Sequence, residues 1–185
     1  MLKVLLIVLM LPAAVLGSPL GLPWGEEVPD SYREYKDYKY LWGDTNWGYM
    51  RFLGWLGDDF RSEILLEFAG KKIGKAYLLL GPEGITESNC FKQYNKIVQG
   101  LNTKYGKYYR RNVMKESLID ELVFVSECYA MRVGLAEIET KWRTKDKKFE
   151  INAYLFSDDN ELYIEVEYVY LPLGTIKRKS LHEHL

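Results

Sequence analysis

Histidine is scarce in this sequence: among 185 residues it occurs twice, as His182 and His184 near the carboxyl end. A Ser-His-Asp or Cys-His mechanism needs a histidine folded into a cleft, so the composition argues against both mechanisms. The sequence also lacks the glycine-rich loop that cradles phosphate groups and the His-Glu-x-x-His pattern of zinc enzymes. The acidic turns at 58–59 and 158–160 lack the alternating oxygen ligands of a dedicated calcium loop. We therefore expect no catalytic residue, no cofactor and no metal site.

An excess of charge of one sign is also missing. The chain has 25 basic and 26 acidic residues, which gives a formal net charge of -1. A protein whose main partner is nucleic acid carries a basic excess, so we expect no nucleic-acid partner. The stretch at 107–116 interleaves basic and aromatic residues; it is interpreted as a solvated edge, with a contact to single-stranded nucleic acid or phosphate as the alternative.

Long apolar runs are confined to the start of the chain. Lys3 supplies a positive charge, and residues 4–16 form an apolar run that Pro12 interrupts. This run is shorter than the roughly 20 residues of a transmembrane helix, and it ends where a signal peptidase would cleave. We predict a signal peptide at 1–17 and a mature chain that begins at Ser18, with an uncleaved anchor as the alternative. Because no cysteine follows the run to carry a lipid, the expected location is secreted or periplasmic, and no later segment predicts a transmembrane helix.

Cysteine occurs only twice, as Cys90 and Cys128. In an exported chain the two thiols meet an oxidising compartment, which favours a disulfide bond. The bond would close a loop of about 38 residues and stabilise the fold by roughly 3–4 kcal/mol in the chain-entropy model. The alternative is a redox or metal site, but neither a nearby histidine nor a Cys-x-x-Cys spacing supports one.

The region 136–171 shows the clearest structural pattern, three consecutive strands in which apolar and polar side chains alternate. The apolar series of the first strand is Ala136, Ile138, Thr140 and Trp142. Because successive side chains of a strand point to opposite faces, this period of two predicts one apolar face and one charged face. The same pattern predicts three earlier strands, at 49–56, 61–68 and 73–80.

Two stretches have helical spacing. Residues 88–105 carry an apolar stripe that ends before Gly106, which predicts a helix. Residues 30–43 place Tyr32, Tyr35, Tyr38 and Leu41 three residues apart, which predicts a second, amphipathic helix. Its tyrosines either pack against the sheet or form a binding surface, to which Trp24 could belong. Residues 118–135 are ambiguous, because 122–125 has the composition of a strand while Ile119, Leu122 and Val125 also fit a helical turn.

Together these patterns predict an α+β fold in which an antiparallel sheet of six to seven strands is covered by one or two helices. The order of elements suggests two helix-plus-three-strand repeats. We expect a single domain at 18–173, preceded by the signal peptide at 1–17 and followed by a flexible tail at 174–185.

The segment Gly21-Leu22-Pro23-Trp24-Gly25 resembles the Gly-x-x-Trp-Gly motif at the start of a group of uncharacterised bacterial periplasmic proteins. The order of helices and strands is similar to that of the bacterial β-lactamase-inhibitor protein and of small outer-membrane-assembly lipoproteins. This resemblance implies protein binding rather than catalysis. A lipocalin is the rival, although the usual Gly-x-Trp of lipocalins is replaced here by Gly21 and Trp24 with two residues between them.

The function expected from the sequence is that of an exported, non-catalytic protein-binding or envelope-associated module. One alternative is a lipocalin-like carrier of a small apolar ligand, which predicts an enclosed apolar cavity. A second alternative is a carboxylate-dependent hydrolase, which predicts two acids across a cleft, one with a raised pKa. The glutamates of the predicted charged faces, Glu137, Glu139, Glu165 and Glu167, are interpreted with Lys141 and Arg143 as a cross-strand lattice of charges.

Overall fold

The computed structural model describes five stretches of the chain: 18–30, 32–36, 38–56, 60–115 and 126–174. The predicted signal peptide at 1–17, the first part (118–125) of the ambiguous segment 118–135 and all but the first residue of the predicted tail lie outside the described residues. The predictions made for them therefore stay predictions.

Eight strands and two helices make up the described part of the chain. The bounds are β1 Lys39–Asp44, β2 Tyr49–Leu56, β3 Phe60–Ala69, β4 Lys72–Leu80, α1 Cys90–Tyr105, β5 Arg110–Lys115, α2 Glu127–Arg132, β6 Ala136–Arg143, β7 Phe149–Asp158 and β8 Glu161–Tyr170. Short 3-10 turns lie at Pro19–Gly21 and Leu171–Leu173. The antiparallel α+β class is confirmed, and the predicted helix at 88–105 is confirmed as α1, which ends at Gly106 with a positive φ of 88°.

All eight strands belong to one antiparallel sheet with the order β1-β2-β3-β4-β8-β7-β6-β5. The sheet consists of two four-stranded meanders, β1–β4 and β5–β8, that meet where β4 pairs with β8. The prediction of six to seven strands was too low. The predicted helix-plus-three-strand repeat is wrong, because each half contributes four strands and both helices lie between β4 and β6 in the chain.

The predicted helix at 30–43 is also wrong, because residues 39–44 form β1. Tyrosine and tryptophan are common in strands, although their spacing in 30–43 also fits a helix. Pairing with a neighbouring strand therefore decides which of the two elements forms. Here β1 pairs with β2, which places the Tyr40 ring 5.8 Å from the Phe52 ring. A bulge between Tyr40 and Trp42 shifts the alternation within β1, which hides the period of two in the sequence.

The first face of the sheet is the apolar one. The strand register aligns Phe52, Ile64, Leu78 and Val166 side by side across four neighbouring strands. All four are at most 7% exposed, and they lie in one continuous core with the apolar residues of β6 and β7. This is the apolar face that the alternation at 49–80 and 136–171 predicts.

Both helices cover the second meander on this face. Tyr94, Val98 and Leu101 of α1 are buried, and the Tyr94 hydroxyl donates to the carbonyl oxygen of Ala153 at 2.9 Å. Trp142 of β6 donates from Nε1 to Asn102 Oδ1 at 2.9 Å, which ties the sheet to the last turn of α1. The short helix α2 buries three residues: Cys128, Ala130 and Met131.

The amino-terminal segment, of which residues 18–30, 32–36 and 38 are described, covers the first meander on the same face. Leu22 and Val28 are 2% and 1% exposed. Trp24 bridges to Ile73 at the start of β4, and its ring lies 5.2 Å from the Phe149 ring. The first face is therefore closed by chain segments along both halves of the sheet.

The predicted disulfide bond between Cys90 and Cys128 is confirmed. It joins the first residue of α1 to α2, and both cysteines are buried. No helix within the described ranges is long and apolar enough to cross a membrane.

Candidate binding surface on the second face of the sheet

The second face of the sheet carries the alternate side chains of the same strands. One row across it contains Tyr77, Glu167, Asn152 and Lys141, and a neighbouring row contains Leu79, Glu165, Tyr154 and Glu139. The described parts of both helices and of the amino-terminal segment make their buried contacts on the first face. The centre of the second face is nevertheless buried: Lys75, Asn152 and Glu165 are each 4% exposed, and Glu167 is 5% exposed.

The buried centre is an ionic cluster built around Glu167. Lys75 Nζ lies 3.5 Å from Glu167 Oε1 and 3.9 Å from Glu67 Oε2. Asn152 Nδ2 donates to Glu167 Oε2 at 2.7 Å. Because removing charges from water is unfavourable unless they are paired and hydrogen-bonded, this cluster is a costly arrangement for a protein to bury.

Ion pairs also surround the centre. Lys141 Nζ lies 2.7 Å from Glu139 Oε1, and Arg143 donates to Glu150 Oε2 at 2.8 Å. Burial acts to raise the pKa of Glu139, but hydrogen bonds from Lys141, Tyr154 and Asn112 outweigh it, so that the pKa lies below its usual range. The predicted cross-strand lattice of solvated charges is present in part. Arg143 pairs across the strands with Glu150, whereas Lys141 pairs with Glu139 of its own strand, and Glu165 and Glu167 are buried.

An aromatic flank lies on the same face, along β1 and β2. Trp55 is 62% exposed and pairs across the strands with Arg61. The Trp42 ring lies 5.2 Å from the Tyr49 ring, and the Arg51 guanidinium lies 6.0 Å from the Trp42 ring. Arg51 is itself held by an ion pair with Glu63 of β3. The second face thus combines an exposed tryptophan with charged side chains that are already paired.

The binding surface predicted from Trp24, Tyr32, Tyr35 and Tyr38 lies elsewhere, on the first face. Trp24 and Tyr35 are 8% and 5% exposed, so for these two residues the prediction is wrong. Trp24 Nε1 donates to Pro19 O, and the Tyr35 hydroxyl donates to Leu20 O at 2.6 Å. Tyr32 and Tyr38 are half-buried and pack against the same core. The sequence allowed the tyrosines either to pack against the sheet or to form a binding surface, and packing against the sheet explains the positions of Tyr32 and Tyr38.

Sequence reasoning missed Trp55. The alternation in 49–56 places aromatic or apolar side chains on both faces, so the strand pattern alone does not show which of them meets solvent. The signal that could have found it is its cross-strand partner, since Arg61 begins the predicted strand at 61–68 and lies opposite Trp55.

An open cleft of about 500 Å³ lies at one end of the sheet, beyond β4 and beside the β7–β8 turn. Its apolar floor includes Ile85 and Leu162, and Arg132 Nε lies 2.7 Å from Glu87 Oε1 at its side. The cleft is open to solvent, whereas a carrier of an apolar ligand encloses its cavity. Within the described ranges, no group of three or more His, Cys, Asp and Glu side chains is placed to hold a metal ion.

No protein-family model matches this chain, and comparisons with curated proteins and with solved structures find no match either. The resemblance to periplasmic proteins and to the β-lactamase-inhibitor fold therefore stays a prediction.

Proposed function

We propose that this chain is an exported, non-catalytic binding module that docks a partner protein on the second face of its sheet. The observation that carries the proposal is Trp55, a tryptophan that is 62% exposed on a sheet face among ordered charged side chains. Tryptophan and arginine are the residues most often found at the energetic centres of protein interfaces. Arg51 and Arg61 lie on the same flank as Trp55.

The charged residues of the face support docking because they are already held in place. Ion pairs fix Arg51 on Glu63, Lys141 on Glu139 and Arg143 on Glu150. Side chains that are ordered before binding lose less conformational entropy when a partner arrives. Paired charges of both signs also favour specificity over non-specific attraction, since a mismatched partner meets like charges.

The part of the second face that a partner can reach is its flank along β1 and β2, because the centre is at most 5% exposed at Lys75, Asn152, Glu165 and Glu167. Trp55 and Arg61 are both exposed on this flank. The disulfide bond supports export, because such bonds persist in oxidising compartments.

The charge on the face argues against the two alternative functions. A carrier of an apolar ligand needs an enclosed apolar cavity, whereas the centre of this face holds the buried ion pair of Lys75 and Glu167. A carboxylate hydrolase needs a general acid whose pKa is raised. Hydrogen bonds instead hold the pKa of Asp30 and of Asp146 below the usual range, through Thr45 and Thr144 respectively, and the pKa of Glu139 is lowered as well.

The test uses two tryptophans of matched exposure. The full-length mature protein is immobilised, a native envelope extract of its own host is passed over it, and the bound protein is quantified by mass spectrometry. We expect Trp55→Ala to reduce the captured partner at least about tenfold, because an interface anchor contributes more than about 1.4 kcal/mol. Trp47→Ala is the control, since Trp47 is 65% exposed but lies in the β1–β2 turn.

Equal capture by wild type and Trp55→Ala would contradict the proposal, and so would equal losses in the two variants. A bound lipid in place of a protein would favour the carrier instead. Thermal unfolding of both variants, which substitute exposed side chains, should match that of the wild type.

A further inference from the structure

One end of the second meander carries a group of exposed basic residues, which we call the basic patch. It consists of Arg110 at the start of β5, Arg143 at the end of β6, and Lys145, Lys147 and Lys148 in the β6–β7 turn. All five side chains are exposed. Because the whole chain has a formal net charge of -1, the patch concentrates positive charge that acids elsewhere balance.

The strand register brings like charges together in this patch. Arg110 lies directly opposite Lys141, which belongs to the second face of the sheet. Arg143 follows Lys141 by two residues on β6, so Arg110 and Arg143 are diagonal neighbours whose Cα atoms lie about 7–8 Å apart. Like charges on facing strands destabilise a sheet, and a bound anion would relieve that repulsion.

The nearest acid on the sheet is already occupied. Glu150 Oε2 accepts from Arg143 at 2.8 Å and from the Tyr109 hydroxyl at 3.3 Å. Among the described residues, Arg110 and the three lysines of the turn form no ion pair. The positive charge of the patch is therefore only partly neutralised by the chain itself.

The β6–β7 turn presents its lysines on an ordered backbone. Asp146 Oδ1 accepts from the Thr144 hydroxyl at 2.6 Å and from the Lys148 N–H at 3.1 Å, so this acid holds the turn together. Lys147 has a φ of 57°, in the left-handed region that glycine and asparagine adopt more readily. A turn that served folding alone would favour one of those residues, so the lysine at this strained position points to a use for its charge.

We infer that the basic patch binds a sulfated polysaccharide, a linear polymer that repeats negative charges along its length. Successive sulfate groups would contact the two arginines on the sheet and the three lysines of the turn, since all of these are charged donors. Tyr109 is 55% exposed beside Arg143, and its ring offers an apolar surface to a sugar ring. This inference takes only the export of the chain from the proposed function.

Two other polyanions fit the patch less well. A protein whose main partner is nucleic acid carries a basic excess over the whole domain, which this chain lacks. A membrane surface is bound by apolar side chains that insert among the lipids as well as by charge, and the turn at 144–148 has no apolar residue. A polysaccharide requires neither feature.

The experiment measures binding of the mature protein to immobilised heparin, which serves as the sulfated probe, by surface plasmon resonance at several salt concentrations. We expect the affinity to fall steeply with rising salt, because binding releases counterions from a polyanion. The triple variant Lys145→Gln, Lys147→Gln, Lys148→Gln should bind heparin at least about tenfold more weakly than the wild type.

The control variant removes the same charge from exposed lysines outside the patch. It substitutes glutamine for Lys39 of β1, Lys71 of the β3–β4 turn and Lys92 of α1. We expect it to bind heparin within about twofold of the wild type, because these lysines do not contact the polymer. Both triple variants change exposed side chains and should unfold at the temperature of the wild type.

Three outcomes would overturn the inference. They are the absence of heparin binding, equal losses of affinity in the two triple variants, and tighter binding to single-stranded DNA or to anionic phospholipid vesicles than to heparin. Trp55→Ala should bind heparin as the wild type does, because β3, β4, β8 and β7 lie between its strand and β6. A failure here therefore leaves partner capture through Trp55 untouched, and a failure of that capture leaves heparin binding untouched.

Discussion

Buried tyrosines show at the scale of single residues how this core combines packing with hydrogen bonding. The Tyr94 ring is fully buried under α1, while its hydroxyl donates to Ala153 O and lies 2.8 Å from Thr140 Oγ1. Tyr38 combines packing and hydrogen bonding in the same way in the other half of the sheet, where its hydroxyl lies 2.7 Å from Ser62 Oγ. Each phenol thus contributes apolar area and also satisfies a polar group that the sheet would otherwise bury alone.

We expect Tyr94→Phe to lower the free energy of unfolding by about 1–3 kcal/mol, because the buried Thr140 hydroxyl loses its partner. Urea denaturation followed by circular dichroism measures the change. Tyr129→Phe is the matched control, since Tyr129 is 38% exposed, and it should shift the free energy by less than about 0.5 kcal/mol. A similar small effect for both variants would show that the Tyr94 hydroxyl contributes nothing.

At the scale of elements, α2 depends on contacts outside itself. It has six residues, and an isolated helix shorter than about 12 residues is marginal in water. Three features hold it: the Ser126 side chain accepts from the Tyr129 N–H, Ala130 and Met131 are buried against the sheet, and Cys128 is bonded to Cys90 of α1.

Replacing both cysteines by alanine is expected to lower the free energy of unfolding by about 3–4 kcal/mol, because the disulfide closes a 38-residue loop. Urea denaturation of the variant and of the wild type gives the value. Hydrogen exchange should accelerate in residues 127–132 well before it accelerates in the central strands β4 and β8. A loss below about 1 kcal/mol with unchanged exchange would indicate that packing alone secures α2.

The whole molecule is organised by a sheet that is buried at its centre on both sides. The first face is filled by apolar side chains beneath chain segments, whereas the second face buries charged side chains together with Leu65, Tyr77 and Leu79. The stability of such a sheet depends on pH in two ways, through buried groups that stay neutral and through ion pairs.

Stability should fall at alkaline pH because burial raises the pKa of several tyrosines. Burial, opposed in part by the hydrogen bond with Thr140, raises the pKa of Tyr94 to about 12, and burial also raises those of Tyr35, Tyr105 and Tyr168. Unfolded tyrosine loses its proton near pH 10, so between about pH 10 and pH 12 the unfolded state binds fewer protons than the folded state. By linkage, the free energy of unfolding then decreases as the pH rises.

Urea midpoints measured at about pH 8, 10 and 11 test this expectation, together with tyrosinate absorbance. We expect these tyrosines to change the urea midpoint little below about pH 10, and we expect the midpoint to fall steadily above about pH 10. Tyr94→Phe removes one of these tyrosines and should reduce the slope. A midpoint that stays constant up to about pH 11 would contradict the expectation.

Local patterns in the sequence were sufficient for much of the fold. The alternation of apolar and polar residues predicted all six strands at 49–80 and 136–171, and for five of them it also predicted the bounds closely. It succeeds because one face of a half-buried strand meets the core and the other does not. The stripe at 88–105 predicted α1, and two cysteines in an exported chain predicted their bond. The helix expected at 30–43 failed because its tyrosines suit either period, and only pairing with β2 decided between them.

What the sequence by itself determined is therefore the division of each strand into an apolar and a charged side, because that division depends only on neighbouring residues. The tertiary structure decided which of these sides is covered, since covering brings together segments far apart in the chain. The same long-range pairing buried Trp24 and Tyr35, left Trp55 exposed, and placed Lys75, Asn152 and Glu167 on three adjacent strands. No local pattern contains those distances, because strand order is a property of the folded chain.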